Sequence, residues 1–325
     1  MSVVSRSTAP PRIGILLAFL SVYLCWGATY TAMSIGVHLL PATILAGTRM
    51  LAGAAIMFTF CAFAGKQLFY SPKILLRLGL VGVLMLLGGN LGLVWSEKYL
   101  PSGLAALIVA VVPLYVAGIE MLLPSGERLR ARGFAGIALG LVALAVLLWP
   151  SFHQAVRTHG HNGPTQFIAA LVVLAGALSW ATGSVLFRHM RLPVDPFVAA
   201  GWEMLAAGIG NSVIATITWQ WPHAAWNSHS IGAVSYLVLF GSLLGFTCYL
   251  WLIHHVPVAK VATYAYVNPV VAVILGALIL HEHLRSSEYI GMVAVLCAVA
   301  LVTSSRMKSG RSVAEVETLA LEPEA

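Results

Sequence analysis

Charge is what this sequence has least of. Only 9% of its 325 residues are Asp, Glu, Lys or Arg and 59% are hydrophobic, where a soluble domain carries roughly 25% charged residues. That balance excludes a water-soluble fold and leaves an all-α polytopic membrane protein. Catalytic signatures are missing as well. No G-x4-G-K-[ST] occurs, so no P-loop grips ATP. Nor does the chain hold H-E-x-x-H, G-x-S-x-G or a pair of intramembrane aspartates, the groupings that would give a nucleophile its base or hold a catalytic metal. Neither an enzyme nor a cofactor is expected. Cys25, Cys61, Cys248 and Cys297 all fall within apolar runs, where a packing role is favoured over a disulfide.

What is abundant is apolar sequence in spans of bilayer length. Ten are expected, near Ile13–Met33, Ala42–Ala64, Ile74–Trp95, Gly103–Leu123, Phe134–Trp149, Phe167–Phe187, Phe197–Thr218, Ile231–Ile253, Val258–Leu280 and Glu288–Ser304. The net charge of +7 could suggest a nucleic-acid partner, but its placement argues otherwise. With both termini in the cytoplasm, fourteen of the eighteen lysines and arginines lie inside. Lys98, Arg157 and Arg285 lie outside, and Arg49 falls within a span. That asymmetry is the positive-inside pattern of a membrane protein.

The chain also repeats itself. Ala46-Gly47-Thr48-Arg49-Met50-Leu51-Ala52 answers Ala200-Gly201-Trp202-Glu203-Met204-Leu205-Ala206 at an offset of 154, and Trp26 answers Trp180 at the same offset. Glu127-x-Leu129 with Gly136 answers Glu282-x-Leu284 with Gly291 at 155. Each copy holds five spans, an odd number, so the second enters the membrane from the opposite side: an inverted-topology repeat. The expected order is a cytoplasmic segment 1–12, a five-helix repeat 13–149, an external linker 150–166, a second repeat 167–304 and a disordered cytoplasmic tail 305–325.

Functional candidates are side chains too polar to face lipid. Ala259 to Leu284 could cross a bilayer once, yet carries Tyr264, Tyr266, Asn268 and Pro269 near its middle. Pro113 occupies the equivalent place in the fourth span, and both prolines are read as helix breaks. Trp26, Tyr30, Asn90, Trp180, Tyr249, Tyr264 and Asn268 are the candidate substrate-binding residues, with Thr29 and Ser184 beside them. For the tyrosines and tryptophans, core packing or a belt at the interface is the plainer alternative, and for the asparagines an interhelical hydrogen bond. Arg49 and Glu203, the deepest ionisable residues, hold matching positions and are expected to form an interhelical ion pair or to gate the cycle. Glu120 reads as a solvated carboxylate at a span's inner end, with proton coupling as the alternative. His159-x-His161 and His281-Glu282-His283 are solvated loop histidines or an external metal site.

These residues carry a resemblance. YLCWGATYTAMSIG, AGTRMLAG, YLPSGLAALIVAVVPL, AGWEMLAAG and TYAYVNPVVAVILG resemble the EamA-type members of the drug/metabolite transporter superfamily from about Ile13 to Ser304, and the last two its YedA-like branch of bacterial inner-membrane exporters. The resemblance implies ten helices in two inverted five-helix halves, a central cavity, and ATP-independent export of small metabolites from the cell. A neutral or zwitterionic cargo, amino-acid-like or drug-like, fits best. Carriers of phosphorylated or nucleotide-linked sugars on the same fold, and a receptor or scaffold without transport, are the alternatives. The partners implied are that cargo and the lipid bilayer; coupling to protons and assembly as a homodimer are left open.

Overall fold

The computed structural model describes residues 12–123, 131–157, 162–282, 286, 289–302 and 304. The segment before Arg12, the residues from 305 onward, residues 124–130, His159, His161 and His283 lie outside them, as does the side chain of Tyr266. Among the described residues all regular structure is helical.

Among the described residues eight helices are long and apolar enough to cross a membrane: α1 (Arg12–Val37), α2 (Ala42–Phe63), α3 (Pro72–Ser96), α4 (Ser102–Leu122), α5 (Ala131–Trp149), α6 (Pro164–Met190), α7 (Pro196–Ile217) and α8 (Ser228–His255). Two shorter pieces follow, α9 (Tyr264–Ile279), introduced by a single turn Val258–Val261, and α10 (Tyr289–Val302). The stretch 150–166 read as a linker is helical over 150–157 and 162–166, because the full helices that contain the spans α5 and α6 run Ala131–Arg157 and Asn162–Met190. Turn chemistry sets several starts. Pro72 opens α3, Asp195 caps α7 by accepting from the Phe197 N–H, and Asn227 and Ser230 form a reciprocal capping box at α8.

The surface is apolar where a soluble protein's would be wet. Ile13, Leu16, Leu17, Leu20 and Leu24 stand exposed along α1, as do Phe63 and Ile217 at helix ends. A belt of that kind is stable only against lipid. Inside the bundle, glycines let helices touch. A side chain on Gly82 would strike the Glu203 backbone, and Gly89 of α3 lies against Gly176 and Trp180 of α6.

α2 and α7 pack antiparallel along their length. Gly47 meets Asn211, Leu51 meets Gly208, Gly53 meets Met204 and Phe58 meets Gly201, in reversed order.

Two helices depart from α geometry. α3 is π-helical over Val83–Gly89 and α8 over Leu237–Phe246. Such wide turns leave carbonyls off the regular ladder, and other helices use them. The Ser179 hydroxyl donates to Leu84 O at 2.7 Å and the Trp26 indole N–H to Gly241 O at 3.0 Å.

Of the two expected breaks, one falls elsewhere. α4 is interrupted at Ala110–Val111 and resumes at Val112 with Pro113 in its first turn, where a missing N–H costs nothing. Pro269, by contrast, sits inside the unbroken α9. The interruption there is at Ala262–Thr263, where the Thr263 hydroxyl takes up Lys260 O at 2.7 Å and meets the Tyr23 hydroxyl at 2.7 Å. A proline deletes one hydrogen bond and bends a helix that packing can carry onward; side-chain competition for the backbone is what ends this one.

Candidate functional site

Where α1, α3, α4, α6, α8 and α9 meet, a partly open cavity of about 70 Å³ remains. Trp26, Tyr30, Asn90, Trp180, Tyr264 and Asn268 line it, with Arg49 reaching in from α2. Thus six of the seven side chains singled out for substrate contact share one space.

Tyr249 stands just behind, fully buried, as part of an aromatic box centred on Trp26. Trp26 lies 4.9 Å from Tyr249, 5.1 Å from Tyr264 and 5.4 Å from Trp180, centroid to centroid. The last two contacts are edge-to-face, the geometry the ring quadrupoles favour. Hydrogen bonds fix the box. The Trp180 indole donates to Tyr249 Oη at 3.2 Å, the Ser184 hydroxyl meets the same oxygen at 2.9 Å, and the Trp26 indole is held by Gly241 O. Gly245 makes room for that indole, since a Cβ there would stand 2.4 Å from Trp26 Nε1.

The asparagines differ. The Asn268 amide nitrogen is placed to donate to Tyr264 O at 3.2 Å and Tyr23 O at 3.1 Å, so part of its capacity joins α9 to α1. Asn90 Oδ1 is buried without a hydrogen-bond partner and stands ready as an acceptor in the cavity wall. Thr29 also lines the cavity, but its hydroxyl is spent on Trp26 O at 2.7 Å.

Arg49 and Glu203 do not pair, which corrects the expectation of an interhelical ion pair. Each is the eighth residue of its helix, about 10 Å in at ~1.5 Å per residue. Because α2 and α7 run antiparallel, the two approach the middle from opposite ends and miss each other. Arg49 Nε instead donates to Ser242 Oγ at 2.9 Å, with Nη1 3.9 Å from Met33 Sδ. Neither carboxylate oxygen of Glu203 has a hydrogen-bond partner, although the residue is fully buried.

Other charges sit at the two ends of the bundle. At one end Lys66 pairs with Asp195 at 2.5 Å, Glu120 faces His189 at 3.2 Å, and Arg188 reaches the Ile253 carbonyl. At the other, Glu282 caps the start of α4, accepting from Ser102 N at 3.0 Å and Ser102 Oγ at 2.8 Å. The repeat signature around Glu282 therefore has a structural use, a carboxylate cap on a broken helix. Sequence reasoning passed over Glu97, which lies just past the end of α3 and is only 1% exposed. A charge directly after Ser96 reads as a solvated helix end, and no local pattern marks it as buried. Burial first, then the nearby Glu282 charge, hold its carboxyl well above the usual carboxylate range, against a smaller opposing pull from the Ser34 backbone. A recess of about 740 Å³ opens at this end, lined among others by His38, Trp95, Lys98 and His223. Among the described residues no three metal-binding side chains cluster.

A charge-poor bundle of membrane-crossing helices around a largely aromatic cavity with Arg49, Asn90 and Asn268 in its wall has the build of a membrane transporter. Comparison with known proteins places it further. The sequence profile of the EamA-like transporter family matches residues 12–149 and again residues 167–304. The uncharacterized inner membrane transporter YedA of Escherichia coli (strain K12) is 36% identical over 90% of this chain and 90% of its own. The uncharacterized transporter YoaV of Bacillus subtilis (strain 168) is 23% identical over 90% of this chain and 97% of its own. A solved structure, described only as a crystal structure of a protein, superposes with a TM-score of 0.64 over 91% of this chain and 99% of its own, at 22% identity. The chain belongs to the EamA-like transporter family, in its YedA-like branch, and is a membrane transporter.

Proposed function

We propose that this chain is a secondary transporter that exports small zwitterionic or neutral metabolites, amino-acid-like or drug-like, by alternating access. One observation carries the reading. Arg49 is a buried cation on the wall of the aromatic cavity, and its hydrogen-bond partner is a serine rather than an acid. A buried charge needs a counter-charge, and a cargo carboxylate is the partner of matching shape for a guanidinium. The surrounding rings offer apolar faces to the rest of the cargo, and Asn90 Oδ1 offers an acceptor to an ammonium group.

Alternating access rests on two inverted five-helix repeats, 13–149 and 167–304, giving ten helices in all. Three features support this. The π-helical stretches begin at Val83 and Leu237, 154 residues apart, the offset seen in the sequence. The antiparallel α2 and α7 carry the matching motifs. The cavity is built from helices of both halves. Two related halves that can rock about a shared site are the usual machinery of such carriers. The relative named as an inner membrane transporter supports the same membrane here, and the lysine and arginine asymmetry supports cytoplasmic termini. Phosphorylated sugars are the weaker reading, because one cavity arginine is a thin match for a dianion.

Purified protein in proteoliposomes, loaded with single labelled amino acids and their decarboxylated amines, tests this. Zwitterions should leave faster than from protein-free liposomes, and the amines should not. Equal movement of the amines would remove the Arg49 argument.

A further inference from the structure

Arg49 finds its counter-charge in the cargo; Glu203 has none in view. Its carboxyl lies about one third of the way along α7, fully buried, with both oxygens unpartnered. α2, α3 and α8 pack around α7. Gly82 of α3 packs directly against the Glu203 backbone, with no room for a side chain between them.

The ionisable groups those helices bring can be named. On α2, Arg49 turns to the cavity and Ser242, and Cys61 is buried. On α3, Lys73 and Arg77 sit in the opening turns, before Gly82. On α8, His229 and Tyr236 lie before the wide turns and Cys248 and Tyr249 after them, ahead of His254 and His255 at the end of the helix. No cation among these bonds the carboxylate.

An ionised carboxylate left unpaired in this setting costs far more than the fold can supply. The group is therefore carried as the neutral acid whenever the protein has this shape. Tyr249, on neighbouring α8, belongs to the cavity wall through its bonds to Trp180 and Ser184 and its ring contacts with Trp26 and Tyr264. On the other side, His254, five residues beyond Tyr249, lines a recess of about 340 Å³ with Arg188 and Arg191.

We infer that Glu203 is the binding site of a coupling proton. In one orientation of the carrier a proton from water adds to a Glu203 carboxylate oxygen. In the other the same O–H bond breaks and the proton returns to water, so that cargo moves against a proton. This inference deepens the transport reading and rests on it for the coupling, but not for the protonation.

The test has two arms. Infrared difference spectra of the full-length protein in lipid, recorded across a pH titration, should show a protonated-carboxyl C=O band near neutral pH that fades reversibly on alkalinisation. The component of that band lost in Glu203→Gln, with the Glu97 contribution left in place, belongs to Glu203, and it should be displaced in Glu203→Asp. In proteoliposomes containing a pH dye, an outward gradient of L-leucine or L-phenylalanine should drive proton entry with wild-type protein and Glu203→Asp. In Glu203→Gln that entry should fall to the leak of empty liposomes. A band unchanged by Glu203→Gln, a component that never titrates, or undiminished proton entry in Glu203→Gln overturns the inference. Should neither amino acid move with wild-type protein, the cargo class fails and the infrared arm alone decides the carboxyl.

Discussion

Arg49 and Glu203 stand at the same place in two equivalent helices, yet their surroundings have diverged. Arg49 opens onto the cavity and is steadied by Ser242, whereas Glu203 is fully buried, its backbone against Gly82 of α3 and its carboxyl with nothing to bond. The backbones stayed alike: both helices are 22 residues long, and each lies against glycines of the other. The lesson is that related helices can share a length and a packing partner while dividing the electrostatic work. One deep ionisable group faces the cavity, and the other is held out of it.

That contrast can be broken experimentally. Arg49→Gln is expected to have the largest effect, raising the KM for a carboxylate-bearing solute roughly ten- to hundredfold, the loss of a charge-assisted contact of about 1.5–3 kcal/mol. Glu203→Gln should leave KM much closer to wild type. Equal KM changes in the two variants, measured by initial-rate transport, would mean that the positions do the same job. Gly245→Val comes next. It should drive the Trp26 indole off Gly241 O and destabilise the protein by about 1–3 kcal/mol, as overpacking does. Chemical denaturation in detergent and quenching of tryptophan fluorescence report both.

Glu97 offers a smaller test, at the end of the bundle where two carboxylates approach. Its folded pKa is raised, so the folded state holds the proton more tightly than the unfolded chain does. The stability this gives is complete below the unfolded carboxylate pKa and is lost as pH rises toward the folded value. Glu97→Gln should therefore leave the melting temperature unchanged near pH 4 and raise it by a few degrees at pH 8. A variant less stable than wild type at pH 8 would show that the carboxylate is paired and useful. The smallest effect belongs to Ser102→Ala, which removes the hydroxyl bond to Glu282 but keeps the backbone one, at about 1 kcal/mol. Thermal unfolding resolves it.

Much of this was legible in the sequence for physical reasons. Lipid forbids exposed polar groups, so Trp26, Tyr30, Asn90, Trp180, Tyr264 and Asn268 could be picked out as inward-facing from hydropathy alone, and they do share a cavity. The repeat located Arg49 and Glu203 but could not tell pairing from avoidance, which depends on the antiparallel stagger of α2 against α7. Pro269 misled because proline's effect on a helix is conditional on packing, while the hydroxyl of Thr263 carries no such flag. The π-helical turns had no signal at all. Val83–Gly89 is an ordinary apolar run, and its widening reflects Ser179 and Trp180 arriving from α6.

The account depends most on the aromatic cavity being the solute's path, reached from each side of the membrane in turn. Ala177 lines that cavity and is buried. Ala177→Cys, in a chain whose Cys25, Cys61, Cys248 and Cys297 are replaced by alanine, can be challenged with a membrane-impermeant thiol reagent from either face of a proteoliposome. Modification from both faces, slowed by a transported solute, is the predicted result. Modification from neither face, or at a rate the solute leaves untouched, would contradict it.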